Sequence, residues 1–242
     1  MRTRELPPPL PPSERTVGQL VAETIRAYGD NFLRALVLGV PIAVATQIGL
    51  GRGLDVQTMA LVALAPAVVI AFLWACSLVH RVRPTATAFA VGVLVFVPVP
   101  ILVRVFVLPA VAWLALFGLA VPAAMVERLG FRTALRRARQ LALADFGHAL
   151  GGLSALVIVV VVSEFTLILL LRSQGENGDR VAHLLADIIL TPLLYLGGAL
   201  LYHDQAARVG SGRPRRRSRR DADLHPPVDA DAARGADPQV EP

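Results

Sequence analysis

Two carboxylic acids lie inside long apolar stretches of the sequence. Glu164 is about eight residues before the end of a run that stops at Leu171, and Asp187 is about seven residues into the next run. At 1.5 Å per helical residue these depths are roughly 12 and 10 Å. Because a short polar segment joins the two runs, we expect antiparallel helices that bring both acids to the same level. Arg104 lies near the same end of another apolar stretch.

These residues could form an intramembrane polar site. An ionised carboxylate inside a bilayer is unfavourable by several kcal/mol, so each one needs a partner or a function. Two carboxyls in contact share a proton, and we expect Glu164 and Asp187 to contact each other, with Arg104 placed to neutralise them. One interpretation is a proton or cation site, or a polar lining for a headgroup. The other is a hydrogen-bonded pair that holds two helices together, with His183 an interfacial histidine rather than a ligand.

Several kinds of chemistry are absent from the sequence. All 24 basic residues are arginine, so a phosphate-binding loop with its lysine is excluded. There is no HExxH or GxSxG motif, and the single cysteine, Cys76, excludes an internal disulfide and a CxxC metal site. No nucleophile, base and oxyanion donor can be assembled. We therefore expect a protein that is not an enzyme, with no catalytic residue, cofactor or metal.

The composition indicates an integral membrane protein. The chain has 242 residues, is 55% hydrophobic, and has a mean hydropathy of +0.58. Apolar runs of about 18 or more residues recur, which is the length needed to cross a bilayer. The predicted fold is an all-α bundle of about six transmembrane helices with amphipathic interfacial helices. The predicted spans are 32–50, 58–79, two within 86–126, 147–171 and 181–202.

Residues 86–126 are too long for one span, and they contain a single charge at Arg104. Dividing them there gives six spans and places the arginine-rich gaps, 80–86 and 127–146, on one side. The positive-inside rule then predicts an inner-membrane protein with both termini in the cytoplasm. A re-entrant hairpin around Pro98 and Pro100 is the alternative.

The segments outside the spans are basic or proline-rich. Residues 1–15 are predicted to be a disordered, proline-rich N-terminus, and residues 205–242 a disordered, arginine-rich cytoplasmic tail, leaving 16–204 as the membrane domain. Residues 16–31 should form an amphipathic helix on the membrane, capped by Thr16. The expected partners are anionic lipids or a membrane protein. Nucleic acid is disfavoured because no aromatic residues alternate with the arginines.

The stretch 121–145 separates two spans and has helical periodicity. Its apolar residues share one face, and arginines occupy another. Such a helix suits a membrane surface, with its apolar face in the acyl boundary and its arginines among anionic headgroups. The alternative is a basic loop that only fixes orientation. The apolar positions are Phe131, Ala134, Leu135, Ala138, Leu141 and Ala142.

Three segments resemble bacterial polytopic proteins grouped with the membrane domain of glycerophosphoryl diester phosphodiesterase. They are TVGQLVAETIRAYGDNFLRAL at 16–36, VPAAMVERLGFRTALRRARQLALADFGHALG at 121–151, and LLYHDQAAR at 200–208. The resemblance implies a six-helix membrane domain and singles out Glu127, Arg136, Arg137, Tyr202 and Asp204. In some relatives this domain precedes a phosphodiesterase barrel, whereas here a polar tail follows the last span, so that activity is not carried over.

Charge complementarity also connects these positions, because a glutamate at a span end can pair with nearby arginines at the cytoplasmic face. The predicted cytoplasmic-face network is Glu127, Arg132, Arg136, Arg137, Arg139, Tyr202 and Asp204. Our first functional hypothesis is a non-enzymatic inner-membrane protein that engages anionic lipid or a membrane partner through this face. The second is a small transporter or permease subunit that uses Glu164 and Asp187.

Overall fold

The computed structural model describes residues 11–210, without the side chains of residues 174 and 176. These residues form α-helices and short 3₁₀ turns and contain no strand, so the predicted all-α class is confirmed. Five helices are long and apolar enough to cross a membrane, and a bent helix pair brings the number to six. The chain is therefore a multi-pass membrane protein. Most of the two segments predicted to be disordered, 1–15 and 205–242, lies outside the described residues, namely 1–10 and 211–242.

The amphipathic N-terminal helix is present as α1 (Val17–Asp30). Thr16 and Gln19 form a capping box at its start, as the sequence suggested for Thr16. Its buried residues Leu20 and Thr24 pack against the two C-terminal spans. A Cβ added to Gly152 would lie 2.7 Å from Leu20 Cδ2, so the missing side chain lets α1 lie close to the bundle.

The membrane helices follow in the predicted order. Pro66 ends the straight course of the second span, because its nitrogen has no proton to donate to the carbonyl four residues earlier. The two halves, α3 (Leu54–Ala63) and α4 (Ala65–His80), consequently meet at Leu64 with a bend of 56°. The spans are α2 (Phe32–Gly49), α3 (Leu54–Ala63) with α4 (Ala65–His80), α5 (Ala86–Phe96) with α6 (Pro98–Val105), α7 (Val107–Phe117) with α8 (Ala120–Val126), α10 (Phe146–Leu171) and α11 (Glu176–Gly210).

Residues 86–126 form two helical segments of crossing length, as the division near Arg104 predicted. Ala86–Val105 and Val107–Val126 each have 20 residues, which corresponds to about 30 Å, the thickness of the hydrocarbon core. The connection is Phe106, whose backbone is extended at φ −170° and ψ 148°. Pro98 and Pro100 lie in the first turn of α6, where missing amide protons are tolerated. The alternative, a re-entrant hairpin around Pro98 and Pro100, is less favoured, because Ala86–Val105 is long and apolar enough to cross a membrane as one segment.

The basic amphipathic helix is α9 (Phe131–Ala144). Its apolar side is buried in the protein: Ala134, Ala138, Leu141 and Ala142 are fully covered by the bundle. The expectation that this face would lie in the acyl boundary is therefore wrong for these four residues, whereas Phe131 at the start of the helix is 39% exposed. Its alanines are small enough to pack on α5, α7, α8 and α11, and protein replaces lipid as their environment.

Helix α11 is the central element and contacts most of the other helices. It reaches Gly210, the last described residue and eight residues beyond Tyr202, the predicted end of the sixth span, and it is about 50 Å long at 1.5 Å per residue. Gly39 of α2 lies directly against its backbone, since an added Cβ would be 2.6 Å from Ile188 Cα. The ordered region also begins before residue 16, because Arg15 is bound to Asp204 of α11.

Candidate functional site

The bundle has two unlike ends. We call the end formed by residues 80–86, residues 126–131 and α9 the arginine-rich end. The opposite end, formed by residues 50–54, 105–107 and 172–176, is called the far end. Hydrogen bonds among the side chains at the arginine-rich end tie α4, α8, α9, α10 and α11 to one another.

Part of the predicted cytoplasmic-face network is formed. Glu127 Oε1 accepts hydrogen bonds from Arg137 Nε and from the Tyr202 hydroxyl, both at 2.9 Å. One carboxylate thus joins the end of α8 to α9 and α11. The bond to Arg137 is charge-assisted, and Tyr202 is almost fully buried, so this three-residue contact fixes the position of α9 on the bundle.

Asp204 does not belong to that network, although the sequence analysis placed it there. It lies two residues beyond Tyr202 on α11, about 200° around the helix, and faces the opposite side. Its Oδ1 is 3.2 Å from Arg15 Nη1, and its Oδ2 is 3.7 Å from His148 Nε2. Asp204 is completely buried, so this separate cluster holds the segment before α1 against α10 and α11.

A second acid extends the cluster around Asp204. Arg208 Nη1 donates to Asp145 Oδ2 at 2.7 Å, and Arg208 Nη2 donates to the Arg15 carbonyl at 2.6 Å. The other Asp145 oxygen caps α10 by accepting from the His148 backbone amide at 3.1 Å. Residues 205–210 were predicted to be part of the tail, but they are helical. Arg208 anchors them to Asp145 and to the Arg15 carbonyl.

The remaining arginines of the predicted network point away from the bundle. Arg132, Arg136 and Arg139 are exposed, and they form no ion pair within the described part of the chain. Their guanidinium groups are free to contact molecules outside the protein. They belong to the surface of the arginine-rich end and not to the Glu127 contact.

A cavity of about 500 Å³ opens beside this surface; we call it the basic cavity. It lies between the segment that follows α4 and the segment that follows α8, and Thr85 and Thr87 contribute to its wall. Three arginines also line it, and within residues 11–210 no acid pairs with them. The sequence analysis did not single them out. They are Arg81, Arg83 and Arg128.

Two of these arginines have an unusual backbone. Arg81 has φ 55° and Arg128 has φ 50°, and they are the two non-glycine residues with positive φ in the described chain. Each follows the end of a membrane helix, where this left-handed conformation is normally taken by glycine because a Cβ is unfavourable there. Strained backbone of this kind is concentrated at functional sites.

A histidine pair lies at the end of α4, directly before Arg81 of the basic cavity. His80 Nδ1 and His203 Nε2 are 2.7 Å apart, and the Tyr202 ring packs edge-on against the His80 ring at a centroid distance of 5.4 Å. The pair joins the last residue of α4 to α11 directly before Arg81. It fixes the helix end from which the left-handed turn starts.

The intramembrane polar site is arranged differently from the prediction. Glu164 Oε1 is 3.0 Å from His183 Nδ1, so the histidine is its partner. The two carboxyls form no hydrogen bond with each other in the described structure, contrary to our expectation. His183 lies one turn before Asp187 and takes the position next to Glu164 that we had assigned to Asp187. Both acids nevertheless line one cavity.

That cavity has a volume of about 560 Å³ and lies between α10, α11 and the helices of the second, third and fourth spans; we call it the acidic cavity. Most of its lining is apolar. Arg104 lies at its rim, but pairs with Asp55 and not with the two acids. This partner follows from the packing of α3 against α6, which brings Asp55 near the first turn of α3 to the last turn of α6.

No metal site is formed by the described residues, because no three His, Cys, Asp or Glu side chains come together there. Comparison with known proteins gave no match to a family model, a curated protein or a solved structure. The resemblance to the glycerophosphoryl diester phosphodiesterase membrane domain therefore stays a prediction from three short segments.

Proposed function

We propose that this chain is a non-enzymatic inner-membrane protein that binds the headgroup of an anionic lipid at its arginine-rich end, which faces the cytoplasm. One observation carries the proposal. Two neighbouring membrane helices, α4 and α8, each end in a left-handed arginine, and both arginines line the same basic cavity. Glycine would suit either backbone better, which indicates that the guanidinium groups are needed there.

The chemistry of the basic cavity suits a phosphate. Arginine presents several donors in a rigid fork that matches phosphate oxygens, and Arg81, Arg83 and Arg128 supply three such groups. The wall also contains apolar residues, among them Met125 and Leu129, which suit the first part of an acyl chain. The exposed arginines of α9 would add attraction for an anionic leaflet, at roughly 1 kcal/mol for each residue near the surface.

Native mass spectrometry of the protein released from its own membrane tests this proposal. In one variant Arg81, Arg83 and Arg128 are changed to glutamine, and in a second Arg132, Arg136 and Arg139 are changed. The matched control removes three charges from the far end, at Arg52, Arg172 and Arg180. We expect the first variant to lose bound anionic phospholipid at least tenfold, since three contacts of about 1 kcal/mol each are removed.

The other outcomes have distinct meanings. Equal loss in the first two variants would replace a defined headgroup site by diffuse attraction to the leaflet. Unchanged lipid in all variants would overturn the proposal and leave these arginines as orientation signals. A retained polypeptide in place of lipid would favour the membrane-partner form of the hypothesis.

The orientation of the bundle in the membrane can be tested separately. Cysteines at Gly130 and Gly175, introduced separately on a Cys76→Ala background, report the two ends of the bundle. A membrane-impermeant maleimide applied to intact cells should label position 175 and not position 130. The reverse pattern would place the arginine-rich end outside.

A second candidate, transport through Glu164 and Asp187, is favoured by the presence of both acids in one cavity. The variants Glu164→Gln and Asp187→Asn would distinguish a functional role of these acids from a structural one, by comparing transport with the abundance of the protein. Normal abundance with lost transport favours a transporter, and lost abundance favours a role in helix packing.

A further inference from the structure

Asp187 is a buried acid that the proposed lipid site does not use. It is 9% exposed, and its Oδ2 has no hydrogen-bond partner among the described residues. Its polar neighbours are Thr46, His183 and Glu164. A buried polar atom without a partner is unfavourable, and more so when the group is charged. Such an atom lining a cavity marks a place where a ligand can supply the missing donor.

The acidic cavity continues from Asp187 along a single face of α11. Thr191 and Tyr195 follow at intervals of four residues and also line it. The Tyr195 hydroxyl is buried and has no hydrogen-bond partner in the described structure, which provides a second open polar atom. From Asp187 to Leu201, the last lining residue on this face, the helix rises about 21 Å.

The walls opposite this polar stripe are apolar. Phe72 and Leu153 belong to the lining away from the acids, while Leu54 and Val103 at the rim are 68% and 46% exposed. The cavity volume of about 560 Å³ is within the range of roughly 300 to 1,000 Å³ typical of ligand sites. A molecule in this space would have an apolar body and one polar group beside Asp187.

The ion pairs of the residues around Asp187 indicate the charge of the ligand's polar group. Arg104, the basic residue in the lining, is paired with Asp55, so it does not neutralise Asp187. Glu164 has His183 as its partner at 3.0 Å. The unmatched charge in the cavity is therefore negative, and its complement is a cation with N–H donors.

We propose that the acidic cavity binds an amphiphilic amine, with its ammonium group on Asp187 and its apolar chain along α11 toward Leu201. The ammonium would donate to the open Oδ2, and the chain would cover the apolar wall. The ligand is either an amine-headed phospholipid of the bilayer or a free long-chain amine. The site is separate from the basic cavity and requires only binding, whether or not transport occurs.

Dodecylamine is a suitable probe, because its ammonium has a lysine-like pKa and is charged at pH 7. Dodecanol, with the same chain and no charge, is the matched control ligand. Binding to the full chain in a non-ionic detergent is measured by native mass spectrometry. We expect dodecylamine to bind at least tenfold more tightly than dodecanol, as for a hydrogen bond to a charged group.

The Asp187→Asn variant should remove this preference for the amine, and Asp30→Asn, at an exposed site on α1, should leave it unchanged. Glu164→Gln should weaken binding less than Asp187→Asn, because His183 already occupies the Glu164 oxygen. If Asp187→Asn does not fold, Val160→Phe fills the cavity with both acids intact and should lower dodecylamine binding at least tenfold, as expected for a blocked pocket.

Two results would overturn the proposal: equal binding of dodecylamine and dodecanol to the unaltered protein, or a preference for the amine that survives in Asp187→Asn and in Val160→Phe. The ligand source is read in the same spectra. An amine-headed phospholipid that leaves the membrane with the protein and is displaced by dodecylamine identifies the bilayer as the source. Dodecylamine binding to a protein that carries no such lipid identifies a free amine.

Discussion

Helix α11 buries one aspartate in each of its halves, and the two are treated in opposite ways. Near the arginine-rich end, Asp204 is fully buried and surrounded by Arg15 and His148. In the far half, Asp187 is almost as deeply buried, but it lines a cavity and forms no ion pair within the described residues. Among those residues, one oxygen of each aspartate lacks a hydrogen bond, but Asp204 Oδ2 has His148 Nε2 at 3.7 Å. The first arrangement gives the buried acid basic neighbours and stabilises the fold, whereas the second leaves a buried acid beside a cavity without a basic partner.

The density of helix packing around the two aspartates also differs. At the arginine-rich end, α8 and α9 contain several fully buried alanines, and these small side chains allow the helices to approach closely. The acidic cavity begins in the far half beside Asp187 and extends along α11 to Leu201. The far half also contains the exposed residues Ile158, Val161 and Phe165 of α10.

The largest effect on this comparison is expected from Asp204→Asn. The change leaves Arg15 and His148 without their buried acid, and breaking a buried ion pair typically lowers the free energy of unfolding by about 3 to 5 kcal/mol. Unfolding in mixed dodecyl sulfate micelles measures this value. Asp30→Asn, at an exposed position, is the control. A loss below about 1 kcal/mol, the usual value for an exposed ion pair, would mean that water reaches the cluster.

The same change from aspartate to asparagine should alter the free energy of unfolding in the opposite direction at Asp187. Asparagine retains the shape and removes the unmatched charge, so we expect the free energy of unfolding to rise by about 1 to 2 kcal/mol in the absence of ligand. Identical micelle titrations provide the comparison. Destabilisation as large as that of Asp204→Asn would show that Asp187 has a structural role, and the contrast between the two halves would then disappear.

Tyr202→Phe should have a smaller effect at the arginine-rich end. It removes a hydrogen bond of 2.9 Å to Glu127 but leaves the bond from Arg137 in place. A net loss of about 1 to 2 kcal/mol is expected for a bond to a charged acceptor. Limited proteolysis within α9 should accelerate in parallel, since this contact holds α9 to the bundle. Unchanged proteolysis would assign that role to the buried alanines.

Arg128→Gly should produce the smallest change in the free energy of unfolding, and this change should be a gain, in contrast to the loss expected for Tyr202→Phe. Glycine relieves the left-handed backbone, which is unfavourable by about 1 to 2 kcal/mol for an L-residue, although glycine also loses more entropy on folding. We expect a slight gain in stability together with weaker binding of anionic lipid. Arg132→Gly, in a helical position of α9, is the matched control and should be destabilising. A loss of stability in Arg128→Gly would indicate a structural role for the arginine.

Local sequence patterns predicted much of the fold. Apolar length predicted the spans, charge distribution divided residues 86–126, and the cap at Thr16 predicted the start of α1. These features depend on a few neighbouring residues or on the thickness of a bilayer. The bend at Leu64 was also encoded locally, by Pro66, but the apolar run continues through it and concealed the break.

The candidate sites were less predictable because they depend on contacts between distant segments. Glu127, Arg137 and Tyr202 do meet, but Asp204 turns away on the other side of its helix. Arg104 pairs with Asp55, 49 positions earlier in the chain, and no local pattern indicates that pairing. The basic cavity was missed because Arg81 and Arg128 look like ordinary loop arginines until their backbone conformations are known.

The one-residue connection at Phe106 bears on how the chain enters the membrane. In the proposed orientation, a single charged side chain between Ala86 and Val126, Arg104, has to pass the hydrocarbon region. Insertion experiments place that penalty at about 2.5 to 3.5 kcal/mol for an arginine at the membrane centre. The apolar residues on both sides of the turn outweigh it, so the third and fourth spans are expected to leave the translocon together as a helical hairpin. During biogenesis these two spans then act as one unit, and Asp55 of the preceding span is available to receive Arg104 when the hairpin arrives.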